Sequence, residues 1–98
     1  KPVAVKIHIQ DDYVLAGRAI SAVCETWGSW PAATLAWSLG GLKFRDPSVA
    51  QQQRSNSTIS KLALVLDRQD DGKELSCTAV NHNFPGGELR ETKILRVA

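Results

Sequence analysis

The side chains with the most distinctive chemistry in this sequence are two cysteines, Cys24 and Cys77, which stand 53 positions apart. A structural zinc site needs four ligands, and neither His8 nor His82 stands at a spacing that would complete one. We therefore expect a long-range disulfide, which would stabilise a small domain by on the order of 4 kcal/mol. Disulfides persist outside the reducing cytosol, so the bond predicts an extracellular domain. The alternative is a pair of reduced, buried cysteines in an intracellular domain.

Combinations of side chains that support catalysis are missing from the sequence. It has no Gly-x-Ser-x-Gly nucleophile motif and no glycine-rich phosphate loop, and neither histidine has a recognisable triad partner. His8 and His82 are instead expected at the surface. The acidic pairs at 11–12 and 70–71 offer too few oxygen ligands for calcium and are expected in solvated turns. The sequence therefore predicts a protein that is not an enzyme and has no metal, cofactor or small-molecule substrate.

Length and charge narrow the class of protein further. The 98 residues, 43% of them hydrophobic, predict one domain over 1–98. Twelve basic and ten acidic residues are interspersed, without the charge block that would bind nucleic acid or an anionic membrane. No apolar run approaches the roughly 20 residues of a membrane helix. The start at Lys1 lacks a signal-peptide pattern, so we expect a segment of a longer, processed chain.

Apolar and polar residues alternate with the period of β-strands along most of the chain. The pattern is found in residues 3–9, 20–24, 35–39, 62–66, 75–79 and 95–97. The Gly40-Gly41 pair predicts a tight hairpin, because glycine adopts positive φ without strain. Residues 46–57 are polar and predict a loop with a short edge strand. About seven short strands predict an all-β, two-sheet antiparallel sandwich.

The cysteines and Trp37, which lies between them, fall on the inward side of three separately predicted strands. A sandwich with a disulfide between its sheets needs a large aromatic against the sulfurs, so this spacing is typical of the immunoglobulin fold. Many immunoglobulin domains place a tyrosine two residues before the second cysteine, whereas this chain has Leu75. We expect Trp37 and Leu75 in the core, although leucine cannot replace the hydroxyl hydrogen bond of the tyrosine. Variable domains and muscle-type intracellular domains usually keep that tyrosine.

Three segments carry a closer resemblance: 28–37 (GSWPAATLAW), 56–58 (NST) and 70–81 (DDGKELSCTAVN). They resemble the C2-type second domains of cell-surface adhesion receptors, in particular the insect Sidestep-like family, whose neuronal receptors pair with Beaten-path proteins. The second domains of nectins and nectin-like molecules are similar. The resemblance implies the ectodomain of a plasma-membrane protein that recognises other immunoglobulin-superfamily proteins in cell adhesion or axon guidance. Adjacent immunoglobulin domains of the same chain are further expected partners.

Several surface positions are candidates for modification or binding. The pattern Asn56-Ser57-Thr58 predicts N-glycosylation at Asn56. The aromatic residues Trp27, Trp30 and Phe84 are expected in loops at one end of the sandwich, either as partner anchors or packed over the core.

The outward side chains on the strands of Trp37 and Cys77 form a second candidate surface. We call it the small-residue face, and it consists of Thr34, Ala36, Ser38, Ser76, Thr78 and Val80. Its side chains are small and uncharged, so the face could dock flat against another protein, with Ala36, Ser38 and Thr78 as candidate contacts. Two other functions stay open. The domain could be a spacer that positions an adjacent ligand-binding domain, or an intracellular cytoskeletal sandwich.

Overall fold

The part of the chain that the structure describes contains eight strands and one short 3₁₀ helix. The computed structural model describes residues 4–9, 14–27, 34–43, 49–53, 57–80 and 88–98. The strands are β1 (Ala4–Ile9), β2 (Ala19–Trp27), β3 (Thr34–Leu39), β4 (Leu42–Lys43), β5 (Val49–Gln53), β6 (Ser57–Val65), β7 (Glu74–Val80) and β8 (Leu89–Ile94), and the helix is Arg68–Asp70. The first sheet has the order β1-β2-β6-β5 and the second β4-β3-β7-β8. All strand pairs are antiparallel, so the predicted two-sheet antiparallel sandwich is confirmed.

The core lies between the two sheets and is built from the inward half of each alternating strand. Trp37 is 2% exposed, and Leu75 is fully buried. A disulfide joins Cys24 on β2 to Cys77 on β7 and so links the two sheets. The other buried apolar side chains in the cluster are Ile7, Val14, Ala22, Leu35, Leu62, Leu64, Leu66, Ala79, Leu95 and Val97. Each alternating segment therefore buries one face, as the sequence pattern predicts.

The hairpin between β3 and β4 forms where the glycine pair predicts it. Gly40 and Gly41 have φ values of 57° and 87°, and Leu39 pairs with Leu42 on either side of them. Two consecutive positive φ values match the turn type that follows the twist of antiparallel strands. A side chain at either position would strain the backbone, so the glycines set the register of β4.

Carboxylate hydrogen bonds stabilise the corner between β6 and β7, since Leu75 replaces the tyrosine that many immunoglobulin domains have there. An Asp70 carboxylate oxygen accepts a hydrogen bond from the backbone N–H of Asp67 at 2.9 Å, and its other oxygen pairs with Lys73 Nζ at 2.8 Å. Asp71 Oδ1 accepts the backbone N–H of Val97 at 2.8 Å, which ties the corner to the last residues of the chain. Sequence reasoning expected only turn and solvation roles for these acidic residues.

We expect Asp70 to make the stability of the domain depend on pH. The hydrogen bond from Lys73, the hydrogen bond from the Asp67 backbone and the charge of Lys73 lower the pKa of Asp70 below its usual value near 3.8. A lowered folded-state pKa contributes stability above the unfolded pKa and loses it as pH falls toward the folded pKa. Asp70→Asn should therefore lower the melting temperature at pH 7, with a deficit that shrinks below about pH 4.

Thermal unfolding of wild type and Asp70→Asn across pH 2 to 7 tests this expectation. Glu74→Gln removes an exposed carboxylate three residues after Asp71 and serves as the control for loss of one negative charge. A deficit in Asp70→Asn that stays constant across the whole pH range would contradict an ionised role for Asp70.

Candidate protein interaction face

The small-residue face is assembled by the register of β3 against β7. Ala36 pairs with Thr78, and Ser38 pairs with Ser76, so these side chains lie side by side on the outer surface of the second sheet. Ala36, Ser38 and Thr78 are half-buried. A surface of side chains this short lets another backbone approach closely and loses little side-chain entropy when it is covered.

β8 extends this face on one side and supplies polar contacts to it. Thr92 pairs with Ser76, and their hydroxyl oxygens lie 3.0 Å apart in a hydrogen bond. Arg90 Nε donates to Thr78 Oγ1 at 3.2 Å. Ser76 points outward by strand alternation but is only 6% exposed. The hydroxyls of the small-residue face are therefore partly held by β8, which the sequence alone did not assign to it.

A shallow groove of about 340 Å³ runs along the small-residue face. Ala36, Ser38 and Thr78 line it, Glu74 lies in its wall on β7, and Glu88 and Arg90 lie in its wall near β8. Charges of both signs thus surround a small, uncharged floor. Sequence reasoning missed Glu88 and Arg90 because β8 alternates weakly, with no side chain from Leu89 to Ile94 fully buried. It also left out Glu74, the first residue of β7.

Trp27 does not lie in a loop, so that prediction is wrong. It is the last residue of β2, where it pairs with Ala4 and Ser57, and it is half-buried. Strand alternation places Trp27 on the outer side of the first sheet, opposite the small-residue face. Its diagonal neighbour Ile59 is only 8% exposed and lies outside the core cluster. Such diagonal pairs are within reach of an aromatic ring, so Trp27 is placed where it can cover Ile59, and its role as a partner anchor stays a prediction.

The other candidate residues are not brought together with the groove. Trp30, Phe84, His82 and Asn56 lie outside the described residues, and their roles stay predictions. His8 is exposed on β1.

Within the described ranges there is no group of three or more histidine, cysteine or acidic side chains that could hold a metal ion. Among the same residues no helix is long and apolar enough to cross a membrane.

Comparison with known proteins identifies the type of domain. Residues 6–87 match the family model for the CD80-like C2-set immunoglobulin domain. The matched range includes both disulfide cysteines and the whole of β2, β3 and β7, so it contains the elements that form the groove floor.

Similar sequences and structures come from adhesion proteins. The chain is 35% identical over 68 residues to cell adhesion molecule 2 of Xenopus tropicalis, which covers 65% of this chain and 16% of that protein. It is 31% identical over 78 residues to human cell adhesion molecule 4, with coverages of 79% and 20%. The chain thus spans at most about a fifth of these relatives.

A solved structure agrees with these relatives. The chain superimposes on the full ectodomain, Ig1 to Ig3, of mouse nectin-like molecule 4 with a TM-score of 0.79 and 25% identity. The match covers 98% of this chain and 34% of that one.

Proposed function

Because the chain belongs to the CD80-like C2-set immunoglobulin domains, we propose that it is an extracellular domain of a cell-surface receptor that mediates protein–protein recognition in cell adhesion or axon guidance. Two relatives are named as cell adhesion molecules, which supports the adhesive role. The disulfide between Cys24 and Cys77 supports an extracellular location, since the cytosol keeps thiols reduced. Residues 1–98 form one such domain in this proposal.

The observation that carries the proposal is the small-residue face with its groove. A solvated sheet is usually covered by lysine and glutamate, whereas Ala36, Ser38 and Thr78 leave the floor of this one free of charge. Charged residues at the rim, such as Glu74 and Arg90, would fix the orientation of a partner by electrostatic complementarity. The proposed partners are other cell-surface or secreted immunoglobulin-superfamily proteins, or adjacent immunoglobulin domains of the same chain.

We expect Ala36→Lys to weaken partner binding by at least about tenfold, because a long charged side chain would fill the centre of the groove and lose its hydration in the complex. The measurement is surface plasmon resonance of the domain against a panel of secreted cell-surface immunoglobulin proteins. Any partner captured by wild type is then measured against the variant.

Ala63→Lys is the matched control, since Ala63 is an exposed alanine on β6 of the opposite sheet. It introduces the same side chain and should leave binding unchanged. Equal binding by wild type, Ala36→Lys and Ala63→Lys would rule out the small-residue face as the contact surface. If binding requires only a neighbouring domain of the same receptor, this domain is a spacer instead.

A further inference from the structure

Among the described residues, the backbone of β8 has no hydrogen-bonded partner along most of its outer edge. β7 is hydrogen-bonded to one side of β8, and β1, at the edge of the first sheet, lies close to β8 without pairing with it. Among the described residues, only 14–16 form backbone hydrogen bonds on the other side of this segment. Those residues pair with 96–98, where Val14 N–H donates to Arg96 O at 2.9 Å and Ala98 N–H donates to Val14 O at 2.8 Å. Residues 89–94 therefore form an edge that this contact does not cover.

The hydrogen bonds next to this edge fix the direction of its backbone groups. The N–H of Leu95 donates to Lys73 O at 2.9 Å, and its carbonyl accepts from Gly72 N–H at 2.8 Å, so both groups of Leu95 point toward β7. Neighbouring residues of a strand direct these groups to opposite sides. Arg90, Thr92 and Ile94 therefore direct their N–H and C=O groups away from β7, and no hydrogen bond satisfies them within the described residues. Such an edge is a template for another strand.

We infer that β8 pairs antiparallel with β8 of a second copy of this chain, around a two-fold axis at Thr92. In this register Thr92 lies opposite its own equivalent, and Arg90 lies opposite Ile94 of the second copy. These are the three residues whose backbone groups point outward, so each opposed pair can exchange two hydrogen bonds. The outcome is one continuous sheet across the two copies.

The charges of β8 favour the same register. With the axis at Thr92, Glu91 lies opposite Lys93 of the second copy, and the symmetry produces this pair twice. Glu91 is half-buried and Lys93 is exposed. Opposite charges in directly opposed strand positions stabilise the pairing, and like charges there destabilise it. β8 is thus complementary to itself in both backbone and charge.

The other symmetric registers that oppose outward-directed backbone groups are disfavoured. An axis at Glu91 or at Lys93 would place two glutamates or two lysines directly opposite each other. An axis at Arg90 would place two arginine side chains directly opposite each other. An axis at Ile94 would bring Thr92 opposite Arg96, whose carbonyl is already bonded to Val14. Thr92 is therefore the position at which a symmetric pair satisfies the open edge without opposing like charges.

Sedimentation equilibrium of the purified chain tests the proposal. We expect wild type to show a reversible monomer–dimer equilibrium, and Glu91→Lys or Lys93→Glu each to weaken dimerisation by about tenfold, because each variant opposes like charges twice. The double variant with both substitutions restores Glu opposite Lys and should recover the wild-type dimerisation constant. Recovery separates a loss of contact from a loss of folding, which circular dichroism of each variant checks independently.

Two results would overturn the inference. A wild-type chain that stays monomeric at millimolar concentration would show that the edge is left to solvent or to an extended segment of another protein. Dimers with the same affinity in wild type, Glu91→Lys and the double variant would place the contact elsewhere. This test does not depend on the proposed receptor function, because it measures self-association of the domain alone.

The symmetry has a consequence that rests on the proposed function. A two-fold axis perpendicular to the strands reverses the chain direction of the second copy. Two upright receptors on one membrane have the same chain direction, whereas receptors on opposing cells have opposite directions. The β8 pair would therefore join copies on facing surfaces, so beads coated with the chain should aggregate. If the chain dimerises in solution but the coated beads do not aggregate, only this consequence is refuted.

Discussion

The variant with alanine at both Cys24 and Cys77 is expected to lose about 4 kcal/mol of unfolding free energy, measured by urea denaturation under non-reducing conditions. The disulfide closes a loop of 53 positions between β2 and β7, so it restricts the unfolded chain strongly. Domains of this size have a total stability of roughly 5–15 kcal/mol, and the variant should be marginally folded at 37 °C. Both sulfurs are completely buried, so the variant also loses apolar packing between the sheets.

Reduced and oxidised wild type are the matched comparison, because they share every side chain except the bond itself. Material from a eukaryotic secretory system should show no alkylation of Cys24 or Cys77 by intact mass. Complete alkylation of native material would contradict the extracellular assignment. A stability loss below about 1 kcal/mol in the double variant would show that the bond restricts the unfolded chain far less than its loop length predicts.

The sandwich could be predicted from sequence because its signal is local. Apolar and polar residues alternate along each strand that borders the core, because one face of the strand is buried and the other faces solvent. Alternation alone therefore places Cys24, Trp37 and Cys77 on inward positions. The hairpin at Gly40-Gly41 was predictable for a different reason, since glycine adopts positive φ without strain and two adjacent glycines suit a tight hairpin turn.

The interaction face could be predicted only in part, because it depends on pairing between distant segments. Alternation alone gave the outward positions of β3 and β7, including Ala36 and Thr78. The contribution of Arg90 depends on β8 pairing with β7, which the weak alternation of β8 does not reveal. The prediction that Trp27 lies in a loop was wrong for a related reason. β2 continues to residue 27 because β1 and β6 both pair with it there. Neither pairing can be recognised from the residues that flank Trp27 in the sequence.

The largest single-residue effect is expected at Trp37. Its indole Nε1–H donates to Ser60 Oγ at 2.9 Å, across the interior from the second sheet to the first. Ser60 is fully buried and pairs with Cys24, so this hydrogen bond lies next to the disulfide. No buried side-chain nitrogen or oxygen among the described residues lacks a partner, and this bond satisfies two of them. The sequence predicted the aromatic ring in the core but not its polar contact.

Trp37→Ala should lower the free energy of unfolding by about 3–5 kcal/mol, since it leaves a large cavity between the sheets. Trp27→Ala removes the same side chain from a half-buried surface position and should cost clearly less, which makes it the matched control.

Ser60→Ala leaves the indole N–H unpaired and should cost about 1–3 kcal/mol. In a double-mutant cycle with Trp37→Phe, the second substitution should then cost much less than the first, because both remove the same hydrogen bond. If the effects of Trp37→Phe and Ser60→Ala on the free energy of unfolding are additive in urea denaturation, the two residues do not stabilise the fold through a common hydrogen bond. Trp37 would then contribute to stability only by the volume of its ring.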